Sequence, residues 1–537
     1  MVLDYGAFRE PPSPLFRDYL LANSSVRSFY GGAGWAIEDV AAAADRALEL
    51  ERPRGVVTKA LVLQQQARGA ARAAAQAERL GRAESVAVVT GQQAGLFGGP
   101  LFVLYKALAT LELAARLEAR RGAPVVPVFW VAADDHDFAE VRQTSVLDES
   151  GQIRTLRYAP AQEPAGWPAF RIVLDASVTM LVAELRTALP ASLHRDALIE
   201  HVAECYCPGA TLSSAFARFL SGLFPSLVVL DSSDPALKAL MIPVLAREIA
   251  EASPTSRLAR EAGLSLLAAG YHQQVPVRPG LLNMFVVLDG ERRALAVNDG
   301  ALEVRGAGRT IPVAEAQRML TADPASWSPG VLLRPLAQDL ILPTAAYVGG
   351  PAEVAYHAQI GPSYAHFGIP RPVLLPRPSL TLVEPGPART LEAEGLQPHD
   401  LQGDPEAILA RWAQESYPEV EATFTRTREA LEREMDGVEQ ALAALDPTLR
   451  AAADAARGRA LHQIAGLHEK ATRTLKKRDQ SRADRLRRTR DALFPGGSLQ
   501  ERGLGLVGLV ARHGQAVIEQ VRAAMDPWAK GHQVIWL

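Results

Sequence analysis

The chain has 537 residues, several times the usual single-domain length, which predicts a large core domain plus at least one separate module. Its 48% hydrophobic and 22% charged residues are those of an ordinary folded protein and exclude disordered and collagen-like classes. A net charge of −3 and a pI near 6.5 supply no overall basic field, which counts against nucleic acid as a partner.

The first twenty residues, opening Met1-Val2-Leu3-Asp4-Tyr5, lack the basic start and apolar run of a signal peptide. No apolar stretch reaches the roughly 18 to 20 residues that a membrane-spanning helix needs, so a cytoplasmic protein without a membrane partner is expected. Residues 36–83 are rich in Ala, Leu, Arg and Gln and predict helices packed on the outside of something larger. Ser85-Val86-Ala87-Val88-Val89-Thr90 is a short β-branched strand that breaks into a Gly-rich turn and then a helical pattern from Leu101 to Arg121. A continuous apolar strand follows from Pro124 to Val131, as expected of a parallel strand covered on both faces, and completes a βαβ unit. Cys205 and Cys207 are the only cysteines; two thiols make neither a disulfide framework nor a four-ligand zinc site, and they are assigned no role.

Further strand-like runs at Leu227–Leu230 and Met284–Leu288, alternating with helical stretches, predict a Rossmann-like α/β core with a doubly wound parallel sheet over residues 1–384. Residues 278–313 read as a small β-rich insertion carrying a hairpin, and 385–403, rich in Pro, Gly and acidic residues, as a linker. Phe424, Leu431, Val438 and Leu445 then recur every seven residues with Met435 and Leu442 between them, a heptad seam. Asp446-Pro447 interrupts it, and a second helical stretch runs from about Thr448 to Leu493, giving an antiparallel coiled-coil arm over 404–493 and a likeness to dimerising coiled coils that predicts a homodimer. Residues 494–537 are expected to pack back on the core. The returning helix bears Lys470, Arg473, Lys476, Lys477, Arg478, Arg482, Arg485, Arg487, Arg488 and Arg490; pairing with Glu429, Glu432, Glu434, Asp436 and Glu439 of the first helix is preferred to a nucleic-acid face.

Three segments carry candidate chemistry. Thr90 to Pro100 places Gln92, Gln93, Gly95, Gly98 and Gly99 between a strand and a helix, where backbone N–H groups can cradle an anion or glycines can simply close a tight turn. The spacing matches neither a dinucleotide fingerprint nor a Walker loop. Lys106, about one and a half turns into the helix, either reaches that ligand or faces water. The second segment, Phe129 to Phe138, holds Trp130 and sets Asp134, Asp135 and Asp137 around His136 at the carboxyl end of a strand, the edge where open α/β sheets bind ligands. Acid/base work or substrate clamping by His136, with Asp135 or Asp137 orienting it, competes with plain helix capping; metal binding is disfavoured because no second ligand cluster accompanies it. The third segment, Leu342 to His357, repeats strand, Gly turn and helix: Tyr347, Gly349, Gly350, Glu353 and Tyr356 form either a pocket for an ammonium group or an ordinary dipole-stabilised first turn.

The stretches Val89-Thr90-Gly91-Gln92-Gln93-Ala94-Gly95-Leu96, Val126-Pro127-Val128-Phe129-Trp130 through Asp135-His136-Asp137-Phe138 and Tyr347-Val348-Gly349-Gly350-Pro351 resemble the bacillithiol-biosynthesis cysteine-adding enzymes, the BshC family. So do Asp231-Ser232-Ser233-Asp234, Leu333-Arg334-Pro335-Leu336-Ala337-Gln338-Asp339 and the tail from Leu499-Gln500-Glu501-Arg502 to His532-Gln533-Val534-Ile535. The resemblance spans essentially the whole chain. It implies a Rossmann-like core with inserted segments, an antiparallel coiled coil, and ligation of the cysteine carboxyl to the amine of glucosaminyl malate in the last step of bacillithiol synthesis. Asp134, Ala352 and His357 depart from the family's usual Glu, Gly and Trp, which bears on pocket shape. ATP or ADP is compatible with such a reaction and the sequence specifies neither. Two other readings are a nucleotide-dependent synthetase or nucleotidylyltransferase-like enzyme, for which the His-x-Gly-His motif is missing, and a noncatalytic coiled-coil binding protein.

Overall fold

The structure is a computed structural model that describes the chain apart from Arg9, Glu10, Ala33, Asp299, Asp404 and Asp479, and apart from the side chains of Pro405, 413–416 and 475–478. Contacts divide the chain into two units, Met1–Val383 with Ser498–Leu537, and Glu384–Gly497. The first is built on five parallel strands: β1 (Val86–Gln92), β2 (Val125–Val131), β3 (Val228–Asp231), β4 (Thr344–Gly349) and β5 (Val373–Pro376). Their spatial order is β5-β4-β1-β2-β3. Chain order therefore runs outward from β1 in one direction and, after β3, restarts on the other side of β1. That reversal between β1 and β4 is the topological switch point, where the connecting segments diverge to opposite faces and leave a crevice at the carboxyl ends. Val86, Val88, Val126, Val128, Val229 and Val348 are fully buried, which explains why these strands read as continuous apolar runs.

Register brings the strand ends level. Gly91 and Gln92 stand opposite Trp130 and Val131, and Thr90 stands opposite Val348 and donates its hydroxyl to the Val348 carbonyl at 2.8 Å. Four helices fix the crevice: α1 (Phe102–Arg121), α2 (Pro235–Ala250), α3 (Arg334–Ile341) and α4 (Pro351–Phe367). The chain's last strand, His532–Trp536, inserts between Ser379–Val383 and Val2–Leu3, so the carboxyl-terminal segment belongs to the core unit.

Two sequence expectations about this unit change. Met284–Leu288 lies in the strand Leu281–Leu288, outside the parallel sheet, in a separate antiparallel sheet with Glu291–Asn298, Ala301–Val304, Arg309–Pro312 and Trp327–Pro329. Its alternating burial is the signature of a half-covered antiparallel strand. The hairpin expected at 278–313 is thus a larger meander, completed by Trp327–Pro329. Strand β5, by contrast, carries no sequence expectation; its apolar core Val373-Leu374-Leu375 is enclosed by Pro372 and Pro376, and proline marks turns and edges rather than a central run.

In the second unit the stretch expected as a linker contains a helix, Pro385–Glu394, and a short turn, Pro398–Gln402, because both prolines sit in the first turn where their missing N–H costs nothing, and Leu391, Leu396 and Leu401 are buried. Helices α5 (Pro418–Leu445) and α6 (Arg450–Arg478) form the antiparallel coiled coil. The turn at Asp446-Pro447 sets the charge pairing. It puts Arg457 opposite Asp436 and Glu439, and His468 opposite Glu421 and Phe424. The expected pairing of the 470–490 stretch with Glu429 to Glu439 is therefore corrected: those residues lie beyond that point, and Arg482 and Arg487 pair with Glu394 and Glu406 instead. Lys476, Lys477 and Arg478 fall outside the described side chains. Among the described residues no helix is long and apolar enough to cross a membrane.

Candidate functional site

A cavity of about 910 Å³ opens at the switch point, lined from β1, α1, the loop after β2, the antiparallel insertion, α3, the start of α4 and the tail residue Arg502. Its floor is a charged network between β1 and β4. Lys106, buried on α1, donates to the Gly91 carbonyl at 2.7 Å, to Gln92 Oε1 at 3.0 Å and to Glu353 at 2.5 Å. Glu353 also accepts from the Tyr347 hydroxyl at 2.6 Å and from the Gly350 N–H at 2.7 Å. Burial pushes the Glu353 carboxyl up, but the Lys106 ammonium and these donors outweigh it and hold it below the ordinary glutamate range. Of the alternatives for Lys106, the structure selects the inward one; of those for Glu353, its carboxylate is already taken by Lys106.

Arg334, on the first residue of α3, adds a second cation: it donates to the Tyr356 hydroxyl at 3.0 Å and to Gln338 at 2.9 Å, and lies over the Tyr347 ring. It forms no ion pair within 4.0 Å among the described residues. Arg377 reaches the same wall and is gripped by both oxygens of buried Glu501, at 2.6 and 3.0 Å. His357 stacks between Tyr347 and Tyr356, fully buried with neither nitrogen bonded, and burial drives its pKa well below the usual histidine value.

The opposite wall is acidic. Asp134 is held at 2.5 Å by Lys238, which is fully buried on α2 and also donates to the Trp327 carbonyl. Asp135 accepts from Gln93 at 3.1 Å and from the Asp137 N–H at 2.9 Å, while Asp137 caps the short helix Phe138–Val141 by accepting from the Glu140 N–H. Neither carboxylate orients His136, contrary to expectation. The His136 Nδ1 instead receives Arg292 Nη1 at 3.1 Å, because the antiparallel insertion folds across the loop and brings Arg292 there. Burial first, and Arg292 second, lower the His136 pKa against the pull of Asp135 and Asp137.

Of the 91–100 loop expected to hold an anion, Gly91, Gln92 and Gln93 line the cavity, but its glycine segment is corrected. Gly95, Gly98 and Gly99 are buried away from the cavity. The Gly98 N–H binds the Tyr206 hydroxyl, Leu101 N–H binds the Leu504 carbonyl, and Leu506 N–H binds the Gly99 carbonyl. These glycines are required by packing: a Cβ on Gly98, at φ +90°, would lie 2.5 Å from the Phe219 ring, and one on Gly95 would lie 2.8 Å from the Gly99 Cα. Gln92, Gln93, Lys106, Trp130, Asp134, Asp135, His136, Asp137, Tyr347, Gly350, Glu353 and Tyr356 do line the one cavity, whereas Gly349 does not. Sequence reasoning missed Lys238, Arg292, Arg334, Arg377 and Arg502; the last two family-like stretches, at 333–339 and 499–502, were the available signal for Arg334 and Arg502. No group of three or more His, Cys, Asp or Glu among the described residues is arranged to hold a metal ion, and Cys205 and Cys207 are unbridged.

A 3-2-1-4-5 parallel sheet with a charged cavity at its switch point, joined to an antiparallel helical hairpin, defines a Rossmann-like small-molecule-binding protein with a coiled-coil module. Residues 1–378 match the family described as bacillithiol biosynthesis BshC, N-terminal Rossmann-like domain, and residues 380–537 match its C-terminal coiled-coil domain. The chain belongs to the BshC family. A relative from Salinibacter ruber, named "Putative cysteine ligase BshC", is 34% identical over 99% of this chain and 98% of its own. Relatives of the same name from Koribacter versatilis and Solibacter usitatus are each 33% identical, over 94% of both chains and over 85% and 86% respectively.

Proposed function

We propose that this protein joins the carboxyl group of cysteine to the amine of glucosaminyl malate, the last step of bacillithiol synthesis, in the cytoplasm. The observation that carries the reading is that one cavity is lined both by cations (Lys106, Arg334, Arg377, with Arg292 and Arg502) and by the carboxylates Asp135, Asp137 and Glu140. Two substrates bearing three carboxylates and two ammonium groups need both. At about 910 Å³ the cavity is at the upper end of the range for small-molecule sites, as two substrates together require. Of Lys106, Arg334 and Arg377, Arg334 has hydroxyl and amide partners but no carboxylate partner within ion-pair distance among the described residues, and it is the one of the three freest to take a substrate carboxylate. Asp135, which lines the cavity, is the group to accept the proton that the acceptor ammonium must lose before its nitrogen attacks. His136 lines the same cavity.

Amide formation in water requires an activated carboxyl, so the purified protein is incubated with cysteine and glucosaminyl malate, with and without ATP, and the cysteinyl product is sought by mass spectrometry. In cells, deleting the gene is expected to leave glucosaminyl malate accumulating while the cysteine-containing thiol disappears. An unchanged thiol pool overturns the assignment. The same reading includes a homodimer through the coiled coil, supported by the seam itself: no residue of α5 is buried within the two-helix hairpin.

A further inference from the structure

Arg292 belongs to the antiparallel insertion, far in the chain from the β2 loop, yet one nitrogen of its head group meets that loop while the other two are held by the Trp327–Pro329 strand of its own sheet. Nη1 meets His136 Nδ1 at 3.1 Å, Nε donates to Ser328 Oγ at 2.9 Å, and Nη2 donates to the Pro329 carbonyl at 3.0 Å. The guanidinium lies 3.7 Å above the Phe285 ring, which also flanks the His136 ring. Three acceptors in three directions and a stacked face leave the group one orientation. A guanidinium has donors only, so the nitrogen it meets must be an acceptor. Nδ1 of His136 is therefore unprotonated, and a neutral imidazole in that state carries its proton on Nε2.

We propose that Arg292 is a positioning residue that locks His136 as a neutral imidazole presenting an Nε2–H donor to the cavity. Its target, on the ligation reading above, is an oxygen of the cysteine carboxyl, the atom that gains negative charge when the amine adds. His136 is then an oxygen clamp, and proton removal from the amine falls to a carboxylate. The charged groups facing the ring are consistent with this. Asp135 and Asp137 on its own loop are occupied by Gln93 and backbone N–H groups, the Lys238–Asp134 pair behind the loop is internally neutralised, and the insertion contributes the Arg292 cation. Protonating Nδ1 would turn a hydrogen bond into a contact between two cations.

The test uses full-length protein labelled with ¹⁵N-histidine, with His136→Asn used to assign the resonance. At neutral pH the wild-type His136 signals are expected to be those of the pure Nε2–H tautomer, and Arg292→Gln is expected to give mixed tautomers and a higher titration midpoint. A doubly protonated or Nδ1–H ring in the wild type overturns the inference, whether or not the Arg292 variant folds. Turnover supplies a second arm. His136→Gln, whose amide N–H reaches the Nε2 position, should stay within about 10-fold of wild type, while His136→Asn, reaching only the Nδ1 position, should lose about 10²-fold; equal losses refute the donor role. Because the spectrum needs no substrate, the expected tautomer without any ligation would sink the reaction and leave the positioning intact, and ligation with the wrong tautomer would do the reverse.

Discussion

Lys106 and Glu353 show how costly the cavity floor is to disturb. Replacing Lys106 by Met removes the only cation among the described residues within ion-pair distance of a carboxylate whose side chain is 21% exposed, and the expected loss is about 3 kcal/mol of stability together with activity. Lys106→Met combined with Glu353→Gln should recover most of the stability and none of the turnover, as measured by denaturant unfolding and product formation on the same preparations. His532 makes a pH prediction. It is buried between Ser379 and Thr381, each 2.8 Å from a ring nitrogen, and burial lowers its pKa from 6.5 to about 4 despite the attraction of Glu501. A depressed histidine favours its neutral form in the folded state, so its contribution is complete above 6.5, falls as the pH drops toward 4, and levels off below. The loss over that window is about 3 kcal/mol. His532→Gln should flatten that part of the stability–pH curve; an unchanged slope would show that other groups set it.

Among the elements, the glycine loop between β1 and α1 separates packing from binding. Gly98→Ala adds a Cβ against Phe219 at a φ of +90°, and the expected cost is about 3 kcal/mol, seen as a lowered Tm. Affinity for cysteine in the folded fraction should be unchanged, since Gly98 does not line the cavity; a large drop in affinity at retained stability would restore it as part of a ligand cradle. A Gly-rich turn after a strand has the same letters whether its N–H groups face a ligand or, as here, Tyr206 and Leu504, and nothing local distinguishes them. The β1, β2 and β4 loops were legible because strand, punctuation and helix follow one another in sequence. Arg292 and Arg377 were not, since an isolated arginine reads as surface until the fold carries it inward.

For the molecule as a whole, the half-open heptad seam of α5 and α6 bears on association. Val438 and Leu445 are 43% and 79% exposed in the single chain, and the homodimer proposed above would cover them. Light scattering at micromolar concentration should give twice the chain mass, and Val438→Glu with Leu445→Glu should give a monomer with an unaltered Tm; a monomeric wild type refutes the dimer. The sequence by itself determined the Rossmann-like core, the coiled coil and the family, because hydrophobic period, proline and glycine punctuation and motif order are local properties that survive without coordinates. Only the tertiary structure decided which glycine turn is packing, which charges are paired, and which group meets His136 Nδ1. Those depend on strand order and on an insertion folding back, which set side by side residues that the chain holds far apart: Lys106 beside Glu353, Asp134 beside Lys238, and His136 beside Arg292.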